Sequence, residues 1–191
     1  MTIPALATSF VVAAAMVGTT AGINRVVAQD IFADTRAVVE FQRAADAYAF
    51  LHRQVEGRLD LAHRRAGRPI DVVESRELAA AIIAERSNAP EGVLFTPAVV
   101  MVFRQRAARA ARVPDCDPGE LRSGVWEMFH AVNTAATGTD PVNPCIADAL
   151  PALPDELEYR SAGTVLLLVD THANLVVDVL PALLAGSEIR R

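Results

Sequence analysis

The densest group of polar side chains in an apolar setting lies near the carboxyl end of the chain. Asp170, His172 and Asp178 are set among Val, Leu and Ala residues. A carboxylate two residues before an imidazole can orient the ring for acid–base catalysis, as in a hydrolase-like enzyme. The same three side chains also offer oxygen and nitrogen donors to a metal ion.

A purely structural interpretation of these residues competes with both chemical ones. In it, Asp170 caps a helix and His172 lies in the helix's first turn. Paired motifs such as His-Glu-x-x-His or Gly-x-Ser-x-Gly do not occur in the sequence. The sequence therefore favours the structural interpretation, and we expect no cofactor.

The other three histidines are expected to be structural. His52 lies on the apolar stripe of a long predicted helix, where a histidine is usually a hydrogen-bonded core or rim residue. His63 stands beside two arginines and should face solvent, and His130 follows Trp126 by four positions, which favours packing on one helix face.

A group of arginines suggests a binding surface. Arg104, Arg106 and Arg109 lie in the second half of a predicted helix and could bind an anionic partner, such as a lipid headgroup, an acidic polymer or a neighbouring protein. The alternative is a solvated face that pairs with the domain's own carboxylates. The net charge of −5 argues against nucleic acid as the partner.

Cys116 and Cys145 are the two cysteines of the chain, and both stand in proline-containing turns. An even number of cysteines in an exported protein can form a disulfide. A bridge here would stabilise the fold by about 3 kcal/mol in the chain-entropy model. Two unpaired thiols are the alternative, since sequence does not reveal distance.

The elements that must position these groups are mainly helical. The segment 34–63 has the strongest helical periodicity, and further helices are expected over 72–87, 97–112 and 117–134. The stripe of 34–63 is made of Val38, Phe41, Ala45, Tyr48, His52, Val55 and Leu59, widened by Phe50 and Leu51. Such a long amphipathic helix needs a partner, either within the chain or in a second copy of it.

The carboxyl-terminal part introduces strands. Two runs, 157–161 and 165–170, flank a glycine-containing turn and predict a β-hairpin. The next segment, 172–180, is expected to form a helix that covers the apolar hairpin. The predicted fold is thus α+β and mostly α, with about four helices followed by a β-hairpin and a C-terminal helix.

The amino-terminal segment 1–28 resembles a secretory signal peptide, because it has an apolar run and small residues before Gln29. Residues 2–24 could instead be an uncleaved membrane anchor facing the periplasm. The predicted division is then a helical region over 29–135, a Pro/Gly-rich linker over 136–156, and the hairpin plus helix over 157–191, packed as one domain. We expect a periplasmic or secreted protein.

The stretch 150–180 resembles the end of a group of uncharacterised exported bacterial proteins. A Tyr-Arg strand (Tyr159-Arg160), a glycine turn (Gly163), an apolar strand ending in Asp170 and the run His-Ala-Asn-Leu-Val-Val-Asp (172–178) carry the resemblance. More distantly, the region is similar to RcnB-type periplasmic modules, a likeness that implies metal handling but transfers no ligand set. From all this we expect a non-catalytic envelope protein that acts by binding or assembly; the alternatives are a metal-handling or envelope-stress accessory protein and an Asp170/His172 enzyme.

Overall fold

A computed structural model describes residues 21–61, 67–119, 121 and 130–184, with side chains from residue 33 onward. The helices are α1 (Ala21–Arg58), α2 (Val72–Glu85), α3 (Pro97–Ala110) and a short α4 (Pro144–Ala147). The strands are β1 (Asp140–Pro141), β2 (Leu157–Ala162), β3 (Val165–Asp170) and β4 (Leu175–Leu180). The chain is therefore α+β, as predicted.

Most of the predicted signal segment, residues 1–20, lies outside the described residues, and residues 21–28 belong to the backbone of α1. The predicted fourth helix also lies largely outside them, at 120 and 122–129, as do Trp126 and His63. Residues 130–134, its predicted end, are not helical. Within the described part of the chain, no helix is both long and apolar enough to cross a membrane.

The long helix α1 buries the stripe that its periodicity predicts. Phe41, Ala45, Tyr48, His52 and Val55 are all buried. The stripe packs against α3 and α2 within the same chain. Phe50 does not widen it, because its side chain is 58% exposed.

Helices α2 and α3 begin where their sequences indicate. Asp71 caps α2 by accepting hydrogen bonds from the backbone N–H groups of Val73 and Glu74, and Glu74 completes a capping box. Thr96 precedes α3, with Pro97 as the first helical residue. Both helices pack against α1.

The sheet is antiparallel with the order β1-β2-β3-β4. β2 and β3 form the predicted hairpin, closed by Gly163 and Thr164, with Ala162 paired to Val165. Gly163 has a φ of 55°, a left-handed conformation that glycine adopts without steric cost. The linker segment 136–156 contributes β1 and α4 to the same structure.

The predicted C-terminal helix over 172–180 is wrong: this segment forms a turn followed by strand β4. Val176, Val177 and Val179 are β-branched and favour a strand. Asn174 has a φ of 47°, a left-handed conformation typical of turns. These signals outweigh the helical spacing, and Asp170 pairs with Leu175 across a four-residue connection.

Both faces of the sheet are covered, as the apolar run of β3 requires. Leu166 and Leu168 pack on one face, in the main core with Phe41 and Phe103 of the helices. Leu167 and Val169 pack on the other face with Val176 and Ala136. Because side chains alternate along a strand, Asp170 follows Leu166 and Leu168 onto the helix-facing side.

The predicted disulfide between Cys116 and Cys145 is present, with the two Cα atoms 5.7 Å apart. It joins the segment after α3 to the start of α4. The bridge closes a loop across 29 positions of sequence, and so restricts the unfolded chain.

Candidate metal centre

Asp170 lies at the carboxyl end of β3 and is fully buried. Its Oδ2 accepts a hydrogen bond from the Tyr48 hydroxyl at 2.8 Å and lies 2.6 Å from Nδ1 of His52. Its Oδ1 accepts the backbone N–H of Ala173 at 2.8 Å, which closes the turn before β4. Asp170 therefore orients an imidazole, but that imidazole is His52 and not His172.

The contact with Asp170 sets the chemistry of the His52 ring. A carboxylate oxygen only accepts, so Nδ1 of His52 carries the proton that it donates to Asp170. In the neutral ring, Nε2 then holds a free lone pair. This Nε2 is buried and makes no hydrogen bond in the described structure. In metal-ligating histidines, one ring nitrogen typically donates its N–H to a carboxylate while the other nitrogen binds the metal. Nδ1 and Nε2 of His52 are arranged in this way.

Two further side chains converge on His52. Glu56 lies one helical turn later on α1, with Oε2 3.8 Å from Nε2 of His52 and a side chain that is 14% exposed. The ring of His172 lies against that of His52, with centroids 5.3 Å apart. One donor atom from each of His52, Glu56 and His172 lies within 4.8 Å of the others. Nδ1 of His172 is also buried without a hydrogen-bond partner.

The separation of the His52 and Glu56 donor atoms is close to what a metal ion requires. At zinc–ligand distances of about 2.0–2.2 Å, tetrahedral geometry places donor atoms about 3.4 Å apart. The 3.8 Å between His52 and Glu56 meets this with a small side-chain rotation. Two imidazoles and one carboxylate form a donor set typical of zinc and other first-row transition metals.

Tyr48 supports the centre from one turn earlier on α1. Burial raises its pKa well above the ordinary value, and the charge of Asp170 raises it further. The hydroxyl therefore keeps its proton and donates to Asp170. Tyr48, His52 and Glu56 are each four residues apart, so a single face of α1 presents these three side chains to Asp170 and His172.

Arg86 places a positive charge next to Tyr48. Its guanidinium lies 5.0 Å from the centre of the Tyr48 ring and donates to the carbonyl oxygen of Val177 at 3.0 Å. Burial lowers the pKa of Arg86, while its electrostatic interactions with Tyr48, Asp178 and Asp170 oppose that shift. The arginine thus lies in the field of both buried aspartates.

Asp178 is also fully buried but has a different role from the one its spacing suggested. β4 shifts register between Leu168 and Val169, and this shift pairs Asp178 with Leu168 on the helix-facing side. The backbone N–H groups of Gly92, Leu94 and Phe95 donate to its carboxylate at 2.7–2.9 Å. Asp178 anchors the segment before α3, and it is not part of the group around His172.

The three arginines expected to bind a partner lie in different surroundings. Arg104 donates to the carbonyl oxygen of Pro181 at 2.9 Å, and Arg106 donates to Asp34 at 3.2 Å. Arg109 is exposed. Two of the three thus make contacts within the chain, which accords with the alternative of internal pairing, and a role in partner binding stays a prediction.

A cavity of about 570 Å³ borders the centre. The turn Thr171–Leu175 and the start of α2 form much of its lining, and His172 belongs to both the cavity and the donor group. A volume of this size is in the range of small-molecule sites.

Sequence reasoning found Asp170 and His172 but missed the ligand partners. His52 and Glu56 form a His-x-x-x-Glu pair, one turn apart, that can be found by inspection. Sequence alone indicates a structural role for His52 on the apolar stripe and no role for Glu56, because the contact with His172 spans 120 positions of sequence and depends on the β3–β4 turn.

Comparison with known proteins assigns this chain to no group: no protein-family model matches it, and neither does any curated protein or solved structure.

Proposed function

We propose that this protein binds a divalent transition metal ion through His52, Glu56 and His172, with Zn²⁺ as the best match. The observation that carries the proposal is the convergence of three donor atoms within 4.8 Å. Asp170 holds His52 in the tautomer that leaves Nε2 available. Metal binding would join helix α1 to the β3–β4 turn.

The burial of the donors supports a metal ion because the two nitrogens without hydrogen bonds belong to the same converging group. Leaving a buried nitrogen without a hydrogen bond is unfavourable by about 1–3 kcal/mol. Both His52 Nε2 and His172 Nδ1 are in this state. A coordinated ion relieves such a cost, because the nitrogen lone pairs become ligands.

The number of ligands points to an open site. Structural zinc sites generally have four protein ligands, whereas catalytic sites have three and keep the fourth position for water or substrate. Here the donor group among the described residues has three members. The proposed site therefore leaves one coordination position for an external ligand.

The disulfide supports an oxidising compartment, since such bonds persist mainly in exported proteins. Together with the apolar start of the chain, it supports a metal-binding protein of the cell envelope or exterior. The broader expectation of binding or assembly is thereby narrowed to one ligand class.

Metal titration of the purified, chelator-treated protein tests the proposal. We expect one Zn²⁺ per chain by calorimetry and a higher melting temperature. At a free ion concentration of 100 times Kd, the gain in unfolding free energy is about 2.7 kcal/mol. His52→Ala, His172→Ala and Glu56→Gln should each remove most of the gain.

Matched controls keep the test specific. Glu40→Gln changes an exposed carboxylate on the same helix, and His130→Gln changes a buried histidine outside the donor group. Both should bind Zn²⁺ like the unaltered protein. Equal loss in the controls, or binding that persists in all three ligand variants, would refute the assignment.

A further inference from the structure

The cavity beside His172 has a chemical character of its own. Much of its lining is apolar, with Ile70, Ala79 and Leu175 among its walls. The charged side chains in the lining are Asp71 and Arg76, both exposed. The net character of the cavity therefore depends on how far each charge is already paired.

The charge of Asp71 is satisfied within its own helix cap. Its carboxylate accepts the N–H groups of Val73 and Glu74 at 2.9 Å and forms an ion pair with Arg68 at 3.3 Å. These contacts lower the pKa of Asp71, with the Glu74 N–H as the largest cause. Asp71 thus stays ionised, but the N-terminus of α2 and Arg68 offset much of the repulsion that it would exert on an anion.

Arg76 is in the opposite state. It makes no hydrogen bond or ion pair with the residues that the structure describes. Its guanidinium is a planar donor that binds carboxylate or phosphate oxygens in pairs. The cavity therefore presents an available cation on its α2 side.

A metal at the proposed centre would lie at the margin of the same cavity. The ion would be about 2.1 Å from its nitrogen ligand on His172, a residue of the cavity lining. Three protein ligands leave a coordination position for an external oxygen. One space thus offers two anion-binding points, a metal ion and a guanidinium.

We infer that this cavity binds a small molecule with two oxyanion groups, one on the metal at His172 and the other on Arg76. The inference rests on the proposed metal site. It gives that site a ligand class, namely small dicarboxylates or molecules with a carboxylate and a phosphate. The apolar walls would contact the carbon chain between the two groups.

Cobalt-loaded protein provides the test, because the visible spectrum of Co²⁺ responds to a new ligand. Succinate is the probe with two carboxylates, and acetate is the probe with one. We expect both to change the spectrum, with succinate binding at least tenfold more tightly. Arg76→Gln should weaken succinate about tenfold and leave acetate unchanged, because it removes one charge-assisted contact.

Arg109→Gln is the matched control, since it removes an exposed arginine that is not in the lining. It should leave both affinities unchanged. If Co²⁺ binds but succinate binds no better than acetate, or Arg76→Gln has no effect, the ligand inference is wrong and the metal site stands. If Co²⁺ gives no bound spectrum at all, the metal site itself is wrong and the inference falls with it.

Discussion

Asp170 and Asp178 are two buried carboxylates of one sheet that differ in their hydrogen-bond partners. Both are fully buried on the helix-facing side, and both lie in the field of Arg86. Asp178 receives backbone N–H groups from the segment before α3. Asp170 receives two side chains of α1, Tyr48 and His52, besides the N–H of Ala173.

The two arrangements differ in whether a donor or acceptor atom remains without a hydrogen bond. Backbone N–H groups have no further chemistry once they donate, so the contacts of Asp178 only stabilise the fold. The His52 ring has a second nitrogen, Nε2, which makes no hydrogen bond and lies beside Glu56 and His172. The carboxylate with side-chain partners is therefore the one that can support function.

Removing Asp178 should have the largest effect on stability. Asp178→Ala leaves buried N–H groups of Leu94 and Phe95 without an acceptor, and we expect a loss of roughly 3–5 kcal/mol of unfolding free energy. Urea denaturation measures this. Asp46→Ala, at an exposed position of α1, should change stability little. A loss below about 1 kcal/mol would mean that the N–H groups find other acceptors.

Removing the disulfide should destabilise the fold by a similar amount without changing the affinity for zinc. Replacing both Cys116 and Cys145 with serine removes a bridge across 29 positions, with an expected loss of about 3–4 kcal/mol. Zinc affinity, measured under conditions where the variant is folded, should stay within twofold. This variant serves as the reference for instability alone, and a large fall in its zinc affinity would make affinity losses elsewhere uninformative.

Asp170→Asn should affect binding more than stability. The amide oxygen can still accept from His52 and Tyr48, although the NH2 group cannot accept the N–H of Ala173, and the amide lacks the charge that makes the His52 ring a better ligand. We expect zinc affinity to fall about 10–100-fold. Competition with a chromophoric chelator measures this affinity. An unchanged affinity would show that Asp170 is structural only, like Asp178.

The smallest expected effect is that of alkaline pH on stability. It should weaken the region around Tyr48 and Asp170 but not the contacts of Asp178. The pKa of Tyr48 is raised on folding, so its stabilisation is complete below the unfolded value near 10 and is lost as pH rises toward the folded value. The pKa of buried Tyr159 is raised too, and the chain has no lysine. Each tyrosine should lower stability by about 1.4 kcal/mol per pH unit above 10.

Tyr48→Phe should therefore halve the alkaline slope, while the contacts of Asp178 contribute nothing to it because backbone N–H groups do not titrate there. Denaturant midpoints between pH 9 and 11.5 provide the measurement. A slope equal to that of the unaltered protein would show that Tyr48 is not the buried donor described here.

The sequence predicted the features that depend on local signals. The α1 stripe, the helix that begins at Val72 and the turn at Gly163 follow from periodicity and residue type, and the structure confirms them. The segment 172–180 was mistaken for a helix because its helical spacing hid β-branched residues and the turn residue Asn174. The strand could have been favoured by Val176, Val177 and Val179 alone.

Only part of the candidate site could be predicted from the sequence. Asp170 and His172 stood out because they are close in sequence. Their partners are more than 110 positions away, at Tyr48, His52 and Glu56, and meet them only when β3 packs on α1. Asp178 was grouped with His172 by sequence distance, whereas the register shift in β4 directs it to the segment before α3.

Diffraction from zinc-soaked crystals, recorded at the zinc absorption edge, tests the central claim most directly. We expect one strong anomalous peak per chain, about 2.0–2.2 Å from Nε2 of His52, a carboxylate oxygen of Glu56 and a ring nitrogen of His172. The peak should be absent in His52→Ala crystals. Zinc bound only elsewhere, or no peak at saturating zinc, would contradict the account.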